Sequence, residues 1–334
     1  MKEEAETAPH SPVYFRIVAL WVVCEAFAGG IMHAFQVPFS GMIVSALSVT
    51  CIILLAWHVP GRLAISKACF IVILFKLALS PHSPPTAYVA VFFQGMMGQL
   101  LFNNKKQFRL RAIVLGFLSL VESAVQRLLI LWLVYGNSFW QAVDDFLKKL
   151  FKQQSATSYI SWIAWGYIFI HAIVGIAVGI IAATIAKKSI EWKQYANLTN
   201  NMETKIPSLD RKSSPLLKPV GIVTWLILLM LFIQSLLFPS NSILSGNKLL
   251  HILLRALLII LGWIFIVSPL LLKLLQKLLS RKKKKLDDQF IQVQKLIPGI
   301  KNIFLQSIVA SKNATGLKRI KLFIKILLGN ILNP

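Results

Sequence analysis

Acidic residues are scarce in this chain: 12 Asp and Glu stand against 36 Lys and Arg, and charged residues of both signs make up only 14% of 334 positions. A soluble chain carries about 25%, so an ordinary water-soluble domain is excluded. Cysteine is rarer still. Cys24, Cys51 and Cys69 all fall inside apolar stretches, with no CxxC spacing. That excludes a disulfide framework and a cysteine zinc site, and leaves them as small packing residues. The six His are scattered (10, 33, 58, 82, 171, 251). No Walker A sequence occurs, so ATP binding by a P-loop is excluded. There is no HExxH and no GxSxG with plausible partners, so hydrolytic chemistry has little support. The sequence implies no cofactor, no metal and no enzyme.

What is present is apolar. The chain is 56% hydrophobic, with mean hydropathy +0.69. Eight apolar segments cover roughly 14–34, 38–58, 64–80, 86–103, 109–135, 159–187, 218–238 and 249–272. Most are near the ~20 residues that cross a bilayer as a helix, and two sit at the short end. Lys and Arg fall in alternate loops. One set holds Arg62, then Lys105, Lys106, Arg109 and Arg111, then the mixed stretch after 188 and the basic C-terminal region. The other set (35–37, 81–85, 136–158 and 239–248) carries few cations. The positive-inside rule then places both termini inside. The expected architecture is an all-α polytopic membrane protein of about eight transmembrane helices, followed by C-terminal amphipathic helices. The expected location is a bacterial cytoplasmic (inner) membrane. Met1 to His10 is acidic, and the first apolar stretch is long enough to remain as a span, so no cleavable signal peptide is expected.

The chain divides into four regions: a six-helix bundle over 1–187, a polar linker over 188–217, two spans over 218–272, and a basic amphipathic tail over 273–334. The tail holds 14 Lys or Arg against Asp287 and Asp288, a net +12 out of the chain's +24. Basic clusters beside a membrane helix read first as contacts to anionic lipid, not nucleic acid. The run Arg281, Lys282, Lys283, Lys284 and Lys285 opens this tail. Phe290, Val293, Ile297, Ile300 and Phe304 then recur at helical spacing, and Pro298-Gly299 is expected to interrupt that helix. After Gly316, apolar Leu317, Ile320, Phe323, Ile324 and Leu327 alternate with Lys318, Arg319, Lys321 and Lys325. Both stretches predict amphipathic helices lying on the inner surface or against a protein partner.

Ionisable residues within apolar segments are costly and point to function or to the bundle interior. Glu25 and Glu122 sit midway along their segments, and Arg127 lies five residues beyond Glu122, about 140° around the helix, too far round to pair well with it. Glu25 with Arg127 is the pair expected across helices; the alternative is a purely structural ion pair. Lys67 and Lys76 lie toward opposite ends of one segment, where each can snorkel. The outer loop Ser80-Pro81-His82-Ser83-Pro84-Pro85-Thr86-Ala87-Tyr88 is stiff and polar. It fits a cap over a small-molecule pocket, or a rigid turn with Thr86 capping the next helix. His82, Ser83, Thr86, Tyr88, Glu25, Glu122, Arg127 and Gln94 are therefore the candidate solute-binding residues. Ala26 and Gly30, and Gly95 and Gly98 within Gln94–Gln99, permit close helix approach. Trp132, Tyr135, Trp140, Tyr159, Trp162 and Trp165 fit an interfacial aromatic belt.

The first six segments, with their Pro-, Ser- and Tyr-bearing loop between the third and fourth, resemble the substrate-binding S component of energy-coupling-factor ABC transporters. The resemblance covers about 14–187. It implies a small solute bound near the outer face by Ser80–Tyr88 and neighbouring polar groups, with Ala26 and Gly30 facing a coupling subunit. The C-terminal part looks weakly like the transmembrane coupling component, with Ile297–Gly316 and the final basic helix in place of the helices that rest on the ATPases. The nearest text to that component's Ala-Arg-Gly signature is Ala310-Ser311-Lys312. The resemblance implies energy from a partner ABC-type ATPase within a larger membrane complex. A non-enzymatic scaffold or assembly subunit is the alternative, and a lipid-processing enzyme ranks last for want of a paired catalytic set.

Overall fold

A computed structural model of the chain describes residues 11–34, 39–59, 61, 63–80, 83–103, 106–150, 159–199, 217–237, 248–267, 269–270, 273 and 283–332. Among these the fold is all helical, with no strand. Helix α1 comprises the contiguous stretches Pro12–Val22, Val23–Ala28 and Gly29–Ala34. It is followed by α2 (Ser40–His58), α3 (Ala64–Leu79), α4 (Pro85–Leu101), α5 (Phe108–Leu150) and α6 (Tyr159–Lys188). A 3-10 segment, Ser189–Thr199, continues α6 into the stretch that reads as a polar linker in the sequence. Helices α7 (Leu217–Leu237) and α8 (Lys248–Gly262, extended by Trp263–Val267) come next, then α9 (Lys283–Ala310) and α10 (Gly316–Leu332).

Among the described residues, three helices are long and apolar enough to cross a membrane: Ser40–His58, Phe108–Val134 and Tyr159–Trp192. Helices α3 and α4, at 16 and 17 residues, fall short of the ~20 a straight span needs. In α1 the middle stretch Val23–Ala28 widens into a π turn, with the Gly29 N–H donating to the Cys24 carbonyl. Ser11 starts this helix by accepting from the Tyr14 N–H at 3.2 Å, with Pro12 preset at the first helical position.

The tightest seam joins α5 to α6. Gly175 and Gly179 lie one turn apart and meet Gly116 and Ala112. A Cβ on Gly175 would stand 2.5 Å from the Gly116 carbonyl oxygen, and one on Gly179 would stand 2.5 Å from that of Ala112. Small residues on both helices let the backbones touch, which is the favoured way to pack helices in a lipid environment. Helix α5 breaks at Gly136, where φ is 70°, so its second half leaves the direction of the first. Past the break, Asp144 accepts from the Tyr159 N–H at 2.8 Å, tying that half to the start of α6.

The core gathers α1, α2 and α3, with Trp21, Ile17, Ile52, Leu55 and Ile71 fully buried. The C-terminal helices complete it. Helix α9 packs along α1 with Val293, Ile297 and Ile300 buried, and Phe290 stacks on Phe75 at 4.1 Å between ring centroids. The helix runs unbroken through Pro298, correcting the expected interruption. Pro298 and Gly299 lie on its exposed face, away from the buried side that docks on α1. In α10 the residues from Ile326 to Leu332 are buried against the 3-10 segment. Arg16 Nη1 donates to the Asn330 carbonyl at 3.1 Å, and Asn330 Nδ2 donates to that of Tyr195 at 3.3 Å. Only the first half of α10 carries an exposed face, including Leu317, Lys318, Arg319, Ile320 and Lys321.

Candidate functional site

Four helices place polar side chains together inside this apolar bundle. Glu25 rides on the π turn of α1 and is 2% exposed. Lys76 of α3 is 3% exposed, and its Nζ lies 2.5 Å from Glu25 Oε2. Ser48 of α2 donates its hydroxyl to the other carboxylate oxygen. One turn earlier on the same face of α2, Ser45 Oγ accepts from Gln94 Nε2 of α4 at 3.0 Å. The π turn matters because an extra residue in a helical turn rotates the facing of every later side chain, and such turns concentrate at functional sites.

Bringing two charges out of water costs several kcal/mol per ion, offset only when they pair and their remaining valences are satisfied. Glu25 meets that condition through Lys76 and Ser48. Gln94 does not: its Oε1 is buried with no hydrogen-bond partner among the described residues. Trp21 Nε1 is in the same condition, and the Trp21 ring reaches Gly95, the neighbour of Gln94. A buried acceptor and a buried donor thus remain unpaired beside the charged pair, a condition native interiors rarely tolerate.

A polar chain links this cluster to the proline-rich loop. The Ser80 hydroxyl donates to the Ala26 carbonyl, next to Glu25, at 2.8 Å. The Tyr88 hydroxyl donates to the Ser80 carbonyl at 2.8 Å, and Lys76 Nζ lies 6.0 Å from the Tyr88 ring centroid. Trp263 of α8 lies against Ser83 and Tyr88: its indole N–H donates to the Ser83 carbonyl at 2.9 Å, and its ring sits 5.5 Å from that of Tyr88.

Of the sequence candidates, Glu25, Gln94, Tyr88 and Ser83 come together here. Thr86 sits half-buried in the first turn of α4. His82 lies outside the described residues. Glu122 is held by Gln126 on its own helix, and Arg127 is exposed on α5. The expected Glu25–Arg127 pair is replaced by Glu25–Lys76, because Lys76 turns into the bundle instead of snorkelling. Sequence reasoning missed Lys76, Ser45 and Ser48 as site residues. The two serines, three apart on an apolar helix, were the available signal.

Of the basic candidates, Arg281 and Lys282 lie outside the described residues. Lys283, Lys284 and Lys285 begin α9. Lys318, Arg319 and Lys321 are exposed, while Lys325 is half-buried with its Nζ 5.4 Å from the Tyr195 ring centroid. Among the described residues no group of His, Cys, Asp or Glu could hold a metal ion, and the three cysteines are free.

No protein-family model, curated protein or solved structure matches this chain.

Proposed function

We propose that the protein is an integral membrane transport component that binds a small polar or amphiphilic solute at the Glu25–Lys76 cluster, reached from the loop 81–85 side. In this reading α1, α3, α4, α7 and α8 also cross the membrane, giving about eight spans with both termini inside. The bilayer is that of a bacterial cytoplasmic membrane, and a partner ATPase supplies the energy. The observation that carries the reading is the unpaired Gln94 Oε1 and Trp21 Nε1 beside a buried ion pair. A solute bearing one donor and one acceptor would satisfy both, and the Ser80–Tyr88 chain gives it a polar route in.

Native mass spectrometry of the gently purified full chain, with extraction of small molecules from the same sample, tests this. A stoichiometric solute, lost in Gln94→Leu but kept in Lys318→Gln, supports it. A solute-free protein that carries stoichiometric membrane subunits supports the scaffold reading instead. That second reading has its own observation: Trp263 fills the space over Tyr88 and Ser83, while the first half of α10 presents Leu317 and Ile320, 76% and 55% exposed, among cations.

A further inference from the structure

A second feature lies where α2 and α6 end and α5 begins. Among the described residues these are the three helices long and apolar enough to cross a membrane, and they converge there on a cleft of about 720 Å³. It is lined by Trp57, Gln107, Phe108, Arg109, Leu110, Ile113 and Lys187. We propose that this cleft binds the headgroup of an anionic phospholipid.

The cations come from different helices. Arg109 is exposed at the first turn of α5, and Lys187 is exposed at the last turn of α6, with its Nζ 5.9 Å from the Trp57 ring centroid. Among the described lining residues none is acidic, so nothing in the wall neutralises them. The floor is aromatic and fixed: Trp57 and Phe108 stand 4.8 Å apart between centroids, and Phe102 braces Phe108 at 5.2 Å.

The neighbouring bonds hold the two cationic helix ends in place. Arg111 Nη1 donates to the Leu101 carbonyl at 2.8 Å, tying the start of α5 to α4. His58 Nε2 and Ser189 Oγ lie 2.8 Å apart, tying the end of α2 to the chain just beyond Lys187.

The choice of occupant rests on the wall. A free phosphate would need only the cations. This cleft adds Leu110, 53% exposed, and Ile113 one turn deeper on the same helix, so an apolar wall runs from the charged rim along a candidate span. A charged head with an attached acyl chain matches both parts. Cations at a membrane surface each strengthen binding of anionic lipid, and a Trp at that level is a common interfacial anchor. The cleft volume falls within the range of small-molecule sites.

The test is a lipid titration of the full chain in phosphatidylcholine nanodiscs, adding phosphatidylglycerol and counting retained lipid by native mass spectrometry after detergent release. Wild type should retain phosphatidylglycerol over phosphatidylcholine. Arg109→Gln with Lys187→Gln should bind it roughly thirtyfold more weakly. Arg109→Lys with Lys187→Arg, which keeps both charges, should restore it and controls for misfolding. Lys318→Gln with Lys321→Gln, in the exposed face of α10, should leave it unchanged. Equal retention in the charge-removed variant overturns the proposal, as does loss only in the α10 variant. Displacement of the lipid by inorganic phosphate at similar concentration would show a free-anion site and overturn the assignment to lipid.

Discussion

Lys76 and Lys187 are the same residue type in two surroundings, and the protein treats them in opposite ways. Lys76 is buried inside the bundle and paired with Glu25 within the chain. Lys187 stands exposed at a helix end beside an aromatic ring, with Arg109 exposed on the same cleft. A charge inside an apolar bundle must be matched by the chain itself, because leaving it unmatched costs too much. A charge at the rim can be left for an outside group to match. Enclosed pairs therefore point to a site that was built, and open cations to a ligand that arrives.

Substitutions at the two lysines put that contrast at risk most directly. Lys76→Met alone leaves Glu25 buried and unpaired, and should destabilise the fold by about 3–5 kcal/mol. Lys187→Met should leave stability nearly unchanged. Denaturation of both variants in one detergent, followed by tryptophan fluorescence, checks the contrast; equal losses would erase it. Gly175→Val forces a side chain against the Gly116 carbonyl and should cost about 1–3 kcal/mol. Because the α5–α6 seam also sets the spacing of Arg109 and Lys187, this variant should lose phosphatidylglycerol retention as well, whereas Lys76→Met with Glu25→Leu should keep it.

A smaller effect concerns Asp144. The Lys148 ammonium bonded to it, together with the Tyr159 N–H, holds its carboxyl below the ordinary carboxylate value of about 3.9. A lowered carboxyl stabilises fully above its unfolded value and loses that contribution as pH falls through its native one. The protection of the Tyr159 amide against hydrogen exchange, relative to its intrinsic rate at each pH, should hold at neutral pH and fall only in acid below the ordinary carboxylate range. Asp144→Asn should remove most of that acid dependence. Lys148 is part-exposed, so salt should weaken the pair.

Much of the helical plan was legible because apolar runs and amphipathic spacing leave strong traces. Of the recurrence Phe290, Val293, Ile297, Ile300 and Phe304, the middle three form the buried face of α9 and Phe290 is half-buried, whereas Phe304 is exposed. The membership of Glu25, Gln94 and Tyr88 in one cluster was partly legible too, since polar groups within apolar segments announce themselves by cost. The identity of Glu25's partner was not. Lys76 near a segment end can snorkel or turn inward, and only the packing of α1 on α3 decides. The Gly175–Gly179 seam was present in the sequence as a small-residue pair four apart, but nothing local says which helix it faces. The Pro298 interruption failed for a related reason: a proline on an exposed face costs one hydrogen bond without ending a helix that is held by its other side. The basic cleft was invisible because Trp57, Arg109 and Lys187 are far apart in sequence.

If the Glu25–Lys76 cluster exists for binding and not for stability, an apolar replacement should separate the two. Glu25→Leu and Lys76→Met are introduced together, and unfolding and retained small solute (by native mass spectrometry) are measured on one preparation. The expected product is a protein at least as stable as wild type, since apolar residues of similar size often replace buried pairs without loss, and empty of solute. A double variant that folds and keeps its solute at wild-type stoichiometry would contradict a binding role for the cluster.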